Sequence, residues 1–504
     1  MQSRGLPATL ALALLCCGPR EPDAVPAARD DLRIAVRADV AGFFPDAGVN
    51  ESFTVQVNGL IFETLTRFDD RLQLAPGLAA RWESPDDRTY RFDLRPGARF
   101  ADGRRLTAHD VVASLEANRA GWVTRDYLQA VESVRALDET RVEIRTRTPY
   151  LALLTRLPWA YVVPRAALRG SGSGAAPSVV GSGPYRLVEW RPGEEIRLAR
   201  NPHWGGPSPD FADVSLRVMP DAAARVAAVE KGEADVADQV PLAEIERLSR
   251  DPRLRVVERS GLRVLFLALR VDRPPFSDPR VREALDLALD RRELSRRALQ
   301  GRAEPATQLV PPSIVGYDPG LRATAVDRGR ARALLHAAGA EGLAFRLDGP
   351  NNRYVNDREI LAELARQLGE IGLRVEASAI DKRDFFPLIE SGGSAAHLVG
   401  YACESGDAGD VLNSMLHSAR GGPLGSLNSL GVADEALDAL IAEADAARTD
   451  DARARSLRAA LQRATQLRAA LPLVIQTEAV LLGPRVAWDP PLNLALRPER
   501  MKRR

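Results

Sequence analysis

Alternation with a period of two opens the folded part of the chain: Leu32, Ile34 and Val36 share one face of a predicted strand, with Arg33 and Ala35 on the other. The same rhythm returns at Tyr90, Phe92 and Leu94 before a Pro96-Gly97 turn, and again over residues 185–190, 195–199 and 216–218. Between such stretches the apolar spacing lengthens to three and four. Thr107 caps a helix that carries Val111, Leu115 and Asn118, with Asp110 reaching back as a capping-box variant, and a further helix is predicted over 221–232. Asp278 and Pro279 supply an N-cap and a proline at the first helical position, ahead of a stripe of Val281, Ala284, Leu285, Ala288 and Leu289. Asp290 and Glu293 form a second capping box for a helix that Gly301 closes. Ile360, Leu361, Leu364, Leu368 and Ile371 share a face ending at Gly372, after which Leu373, Val375 and Ala377 alternate as a strand. Leu457, Leu461, Ala464 and Leu471 line a last predicted helix. Two segments, 264–271 and 472–482, are apolar almost throughout and read as buried strands. Strands alternating with helices argue for α/β lobes with mixed sheets. The Gly/Ser stretch at 170–174 is a loop, its spacing matching neither a dinucleotide fingerprint nor a P-loop.

A chain of 504 residues exceeds one ordinary core and predicts two or three domains, and 45% hydrophobic with 27% charged residues places it among globular proteins. A net charge of +1, from 69 basic and 68 acidic residues, provides no field to hold a phosphate backbone, which excludes nucleic acid as a partner. The histidines, at 109, 203, 336, 397 and 417, form neither His-x-x-x-His nor His-Glu-x-x-His, and no Gly-x-Ser-x-Gly elbow occurs. No cofactor or metal is expected. Cys403 beside Glu404, with His397 or His417 as base, is the one candidate nucleophile of a secreted peptidase, though a small core residue accounts for it more simply.

At the N-terminus, Arg4 precedes an apolar run over 6–15 that is too short to span a bilayer and reads as a signal peptide. Leu14-Leu15-Cys16-Cys17-Gly18 resembles the lipobox of bacterial lipoproteins, with Cys17 as the lipidated residue, Leu14 three positions upstream, and Cys16 where Gly or Ala is usual. The plain alternative is a secretory peptide without an anchor. If Cys16 leaves with the signal and Cys17 is lipidated, only Cys403 remains and no internal disulfide can form. Residues 18–30, rich in Pro, Ala and charge, are expected to be a flexible tether.

Several segments together resemble the dipeptide and oligopeptide substrate-binding proteins of ABC importers, solute-binding family 5. Phe62-Glu-Thr-Leu-Thr-Arg-Phe, Pro76-Gly-Leu-Ala-Ala-Arg-Trp and Phe92-Asp-Leu-Arg-Pro-Gly-Ala-Arg-Phe-Ala-Asp-Gly are similar to the family's signature region in order and spacing. Gly181-Ser-Gly-Pro-Tyr with Glu189-Trp-Arg-Pro-Gly and Arg200-Asn-Pro, then Pro275-Phe-Ser-Asp-Pro-Arg-Val-Arg-Glu-Ala with Asp290-Arg, and Leu309-Val-Pro-Pro resemble further blocks. The resemblance implies an α/β fold of the periplasmic-binding-protein type II: two lobes joined by two crossing strands, with an extra small domain. The apolar strands at 264–271 and 473–482 are the natural crossings, so the first lobe is discontinuous. We expect residues 1–17 as signal, 31–54, 181–263 and 476–504 as lobe I, 55–180 as the small domain, and 264–475 as lobe II. The implied protein is a monomer outside the cytoplasm, in the periplasm or lipid-anchored on the outer face of the membrane. It delivers short peptides to a membrane permease and is not an enzyme.

A peptide is a zwitterion, so its site needs a carboxylate for the ammonium and a cation for the C-terminus, while main-chain pairing can supply affinity without reading side chains. Residues 400–412 resemble the family's aromatic-x-x-Asp-x-x-Asp-Pro block, whose first Asp binds the peptide amino group; Glu404 stands there, Asp407 matches the second acid, Tyr401 replaces Trp and Ala408 replaces Pro. An acidic turn in solvent is the alternative reading. Arg353 and Arg358 are the candidates for the peptide carboxylate, Arg358 lying nearest the family's Arg position, and Asn428 resembles a site-facing Asn; ordinary surface or turn roles stay open for all three. The resemblance also admits nickel complexes, haem, opines or sugars as ligands.

Overall fold

The strand Asp31–Val36 is buried along most of its length because it lies inside a large mixed sheet rather than at an edge. The computed structural model describes residues 30–44, 52–120, 127–168, 179–419 and 424–504. The signal segment, Cys16, Cys17, the tether as far as residue 29 and the Gly/Ser stretch at 170–174 lie outside them. Among the described residues eleven strands join in this sheet, in the order Arg374–Ile380, Ala344–Pro350, Ala396–Ala402, Arg255–Leu269, Ala470–Leu482, Val236–Ala237, Asp31–Val36, Asp213–Val218, Glu195–Arg200 and Tyr185–Arg191, with Glu304–Pro305 pairing off this path. On one side Asp31–Val36 runs parallel to both of its neighbours, and on the other Ala344–Pro350 does the same.

The two apolar segments form the antiparallel pair in the middle, Arg255–Leu269 against Ala470–Leu482. The first is longer than its apolar part suggested, beginning at Arg255. Their ladder breaks between Ser260 and Val264, so Gly261, Leu262 and Arg263 sit opposite Gln476 without regular pairing. A side chain at 261 would come within 3.0 Å of the Gln476 carbonyl oxygen, and glycine therefore fits this crossing.

Helix ends follow the local chemistry. Asp278 accepts from the Arg280 N–H at 2.8 Å, Asp290 from Glu293 at 2.8 Å, and Asp110 from Thr107 at 3.0 Å. One expectation is corrected: Leu471 is not on the last helix. Asp450–Leu467 ends at Arg468, whose left-handed backbone (φ 48°) turns the chain, and Leu471 lies on the next strand opposite Leu267. Its apolar spacing continues across a boundary that the backbone sets.

A separate antiparallel sheet of four strands, Ala79–Asp86, Thr89–Leu94, Arg141–Thr146 and Val131–Ala136 in spatial order, packs with the helix Ala108–Ala120 around Phe92, Phe100, Val111, Leu115 and Ile144. Gly181 and Gly183 meet the end of the helix Ser52–Ile61 so closely that a Cβ would lie 2.0 Å from the Ile61 carbonyl oxygen at 181 and 2.7 Å from the Ile61 carbonyl carbon at 183.

Candidate functional site

Parallel strands deliver their carboxyl ends to one place, and in an open α/β sheet that is where ligands collect. Arg37 follows Asp31–Val36, and Asp238 and Gln239 follow Val236–Ala237. Arg353 follows Ala344–Pro350 and Glu404 follows Ala396–Ala402. All five line a single cavity, together with Gly261, Arg263, Gln476 and Glu478 from the crossing pair.

The turn after Ala396–Ala402 aims one acid into this cavity and uses two for its own support. Asp407 is buried and gripped by Arg453, Nε to Oδ2 at 2.7 Å and Nη2 to Oδ1 at 2.9 Å, and it also accepts from the Gly409 N–H at 2.7 Å. Burial alone would push the Asp407 carboxyl up, but the charge and hydrogen bonds of Arg453, with Arg156 nearby, hold it below the ordinary range. Asp410 pairs with buried Arg156 and accepts from the Ser405 N–H at 3.1 Å. Among the described residues Glu404 has no such cation within ion-pair distance. Its Oε1 accepts from Ser52 Oγ at 2.7 Å, and burial pushes its carboxyl up against the opposing pull of that hydrogen bond and of Arg263.

The guanidiniums of Arg263 and Arg353 lie 5.9 and 5.7 Å from the centre of the Tyr354 ring, whose hydroxyl accepts from the Gly400 N–H at 2.9 Å. The buried aromatic thus presents two cations on the wall that carries Glu404. Arg37, half-buried on the opposite wall, makes no side-chain hydrogen bond or ion pair among the described residues, whereas its neighbour Asp238 lies 3.1 Å from Arg225. Burial lifts the Asp238 carboxyl to about 6 despite Arg225 and Arg37. Gln476 donates to Glu478 at 3.0 Å, while its buried Oε1 has no partner among the described residues. A buried acceptor left open beside a cavity is a place for a ligand donor.

Of the residues singled out in the sequence, the cavity gathers Glu404 and Arg353 and not the other four. Tyr401 donates from its hydroxyl to the Asp410 carbonyl at 3.2 Å and packs on the core beneath the turn. Asp407 is occupied as described. Arg358 is exposed in the first turn of the helix Asp357–Gly369. Asn428 ties a turn, donating to the carbonyls of His417 and Val432 at 3.0 and 2.8 Å and accepting from the Val432 N–H at 3.0 Å. Ser52, Arg37 and Arg263 were missed. For Arg263 a signal existed, a charge two residues past Gly261 and directly ahead of the apolar run 264–269.

Cys403 is fully buried, and burial pushes its thiol well above the ordinary range, away from the reactive thiolate. His397 is likewise buried and held down to about 3. Neither group is poised for acid–base or nucleophilic work.

The profile of the bacterial extracellular solute-binding proteins, family 5, in its middle region, matches residues 73–423. The glutathione-binding protein GsiB of Escherichia coli (strain K12) is 27% identical over 463 residues, 89% of this chain and 90% of the relative. Among solved structures, the periplasmic binding protein DppA from Helicobacter pylori, in complex with the peptide STSA, aligns with a TM-score of 0.82 at 21% identity over 94% of this chain and 98% of its own. NikA from Brucella suis, in complex with Fe(III)-EDTA, reaches 0.82 at 22% identity over 94% and 100%. The fold is thus that of the type II periplasmic binding proteins, as the motifs implied.

Proposed function

The chain belongs to family 5 of the bacterial extracellular solute-binding proteins, which serve ABC importers, and from that premise we propose that its ligand is a short peptide held in the cavity around Glu404. The observation that carries this reading is the placement on one wall of Glu404, a carboxylate with no ion-pair partner among the described residues, with the guanidiniums of Arg263 and Arg353. A peptide's ammonium and carboxylate need these two charges, and each desolvated charge gains most when its partner arrives with the ligand. The peptide-binding names of GsiB and DppA favour the same reading. NikA, holding a metal chelate on the same fold, marks the alternative of a non-peptide solute.

In this proposal Arg255–Leu269 and Ala470–Leu482 act as the hinge between lobe I (31–54, 181–263 and 476–504) and lobe II (264–475), with 55–180 as the added domain, and the protein works as a monomer. Cys17 holds it to the membrane by lipid, which Cys17→Ser would abolish in fractionation. No helix among the described residues is long and apolar enough to cross a membrane.

The test is direct. Mass spectrometry of solutes released from the purified protein should find short peptides, and calorimetry should show di- and tripeptides binding and remaining intact. Recovery of only metal chelates or sugars, with no heat from peptides, would replace the peptide by the other class.

A further inference from the structure

We infer that Arg156 is a positioning residue for the ligand anchor: from the added domain it grips Asp410, and with Leu72 it latches that domain onto the turn that carries Glu404. The inference takes the cavity around Glu404 as the binding site, as proposed above, and holds for any solute seated there.

The added domain is rooted on lobe I. Its Phe62 and Tyr161 share one core with Leu32, Val36 and Tyr185, and Gly181 packs against the end of the helix Ser52–Ile61. Lobe II meets the domain at a different place. The hairpin of Thr66–Phe68 and Leu74–Pro76 turns at residues 69–73, and Leu72 at its tip is buried in the lobe II cluster of Phe266, Ile314, Cys403 and Val411. The Leu72 backbone is left-handed (φ 61°), a conformation that a leucine rarely takes. Asp69 holds the tip in that shape, accepting from the N–H groups of Arg71 and Gln73, both at 2.8 Å. Gly406, two residues past Glu404, lies against it: a Cβ there would stand 3.2 Å from the Leu72 carbonyl oxygen and 3.8 Å from the Leu72 Cβ.

A charge pair completes the latch. Arg156 ends the helix Leu153–Arg156, and its guanidinium reaches Asp410 Oδ1 across 254 positions of sequence. The two side chains are 6% and 9% exposed, so each depends on the other for its charge to be compensated. The second oxygen of Asp410 accepts from the Ser405 N–H at 3.1 Å, and its carbonyl accepts from the Tyr401 hydroxyl at 3.2 Å. Arg156 therefore acts on Glu404 through one residue: it neutralises Asp410, and Asp410 fixes the backbone next to Glu404. A pair that only braced the added domain would find its acid within that domain. A further ion pair to lobe II, Asp87 with Arg448 at 2.8 Å, is exposed and contributes little. Opening of the cleft moves lobe I and the added domain away from lobe II, which parts Arg156 from Asp410 and withdraws Leu72 from its cluster.

Cysteines at the contact report on it without any ligand. In a Cys403→Ala background, Leu72→Cys with Gly406→Cys sets two Cβ atoms 3.8 Å apart, a separation that a disulfide spans. The pair should oxidise readily, and adding Arg156→Met should slow the cross-link roughly 10-fold or more. Arg156→Lys keeps the charge and should recover most of the rate, with thermal unfolding confirming that each variant is folded. Failure of the pair to oxidise at all overturns the inference, as does a rate that Arg156→Met leaves unchanged or a loss that Arg156→Lys repeats in full. Binding gives the second measure. With the native residues at 72, 403 and 406, Arg156→Met should weaken Ala-Ala-Ala roughly 10-fold or more, chiefly through faster dissociation, and unchanged affinity in a folded variant overturns the inference. If Ala-Ala-Ala gives no heat with the parent protein, the peptide reading falls, and the cross-linking rates still decide the latch.

Discussion

Ser52 Oγ donates to Glu404 Oε1 at 2.7 Å, joining the first residue of the helix Ser52–Ile61 to the turn after Ala396–Ala402 across 352 positions of sequence. The contact holds the one acid of that turn that is not spent on an internal ion pair. A neutral hydroxyl satisfies a carboxylate only in part, and no other hydrogen bond to Glu404's side chain occurs among the described residues. The carboxylate is therefore oriented and still able to take a cation.

Glu404→Gln keeps the size and the Ser52 hydrogen bond and removes the charge. It should weaken a free dipeptide by roughly 2–5 kcal/mol, about 30-fold or more, because the ammonium would be desolvated without its partner. An N-acetylated dipeptide should bind the parent poorly and lose much less on mutation. Calorimetry of both peptides on both proteins closes the cycle. Equal losses for the two peptides would point to general damage and remove Glu404 as the anchor.

The same residue sets a pH dependence. Burial raises the Glu404 carboxyl in the ligand-free site, and an arriving ammonium lowers it again. The bound state then holds fewer protons, so affinity is full above the raised value and falls as pH drops through it, beginning above the usual Glu value of about 4.3. The peptide ammonium stays protonated over this range. Asp238, lifted to about 6, lines the cavity too. Binding measured from pH 4 to 8 should therefore lose most of its acid limb in Glu404→Gln and keep it in Asp238→Asn; the reverse pattern would transfer the effect to Asp238.

Much of this architecture was legible because it is written in short-range chemistry. The caps at Asp278 and Asp290, the alternation at Leu32, Ile34 and Val36, and the apolar run that became the middle of the sheet each specify local geometry. Leu471 was misplaced because apolar spacing cannot register a left-handed turn at Arg468. The site was harder to read. Glu404, Asp407 and Asp410 are three acids on one turn, and only the cations brought by Arg453 and Arg156 from distant parts of the chain decide which of them remains available. Arg37 carries no local signal at all, since its place at the cavity comes from the sheet that brings the end of its strand there.

Asp407 and Arg453 should matter for stability rather than for ligand choice. Their side chains are 6% and 5% exposed, so removing one charge strands the other in the interior. Asp407→Asn should cost about 3–5 kcal/mol, visible as a lower denaturant midpoint at neutral pH. The folded Asp407 carboxyl is held below its unfolded value, so its contribution is fully present above about pH 4 and disappears as pH falls through the folded value. The parent and Asp407→Asn should converge in stability on acidification, and a gap that stays constant down to pH 2 would assign the loss to packing.

Closure of the cleft offers the last test, and it returns to Ser52. The residues lining the cavity come from both sides of the crossing pair, and the pair loses its regular ladder between Ser260 and Val264, where hinge rotation would disturb the fewest hydrogen bonds. Ser52 Oγ and Glu404 can meet only when the two walls are close, so their bond counts toward the closed form and not the open one. A hydrogen bond to a charged group contributes about 1.5–3 kcal/mol. Ser52→Ala should then shift the ligand-free protein toward the open form by roughly 10-fold or more. Small-angle scattering should give the ligand-free variant a larger radius of gyration than the parent, both above the ~23 Å expected for a compact chain of 504 residues. Saturating peptide should bring the two proteins to the same smaller value, because the ligand supplies contacts to both walls in place of the lost bond. If peptide binds and leaves the radius of both proteins unchanged, the cavity is a rigid site and the crossing strands are not its hinge.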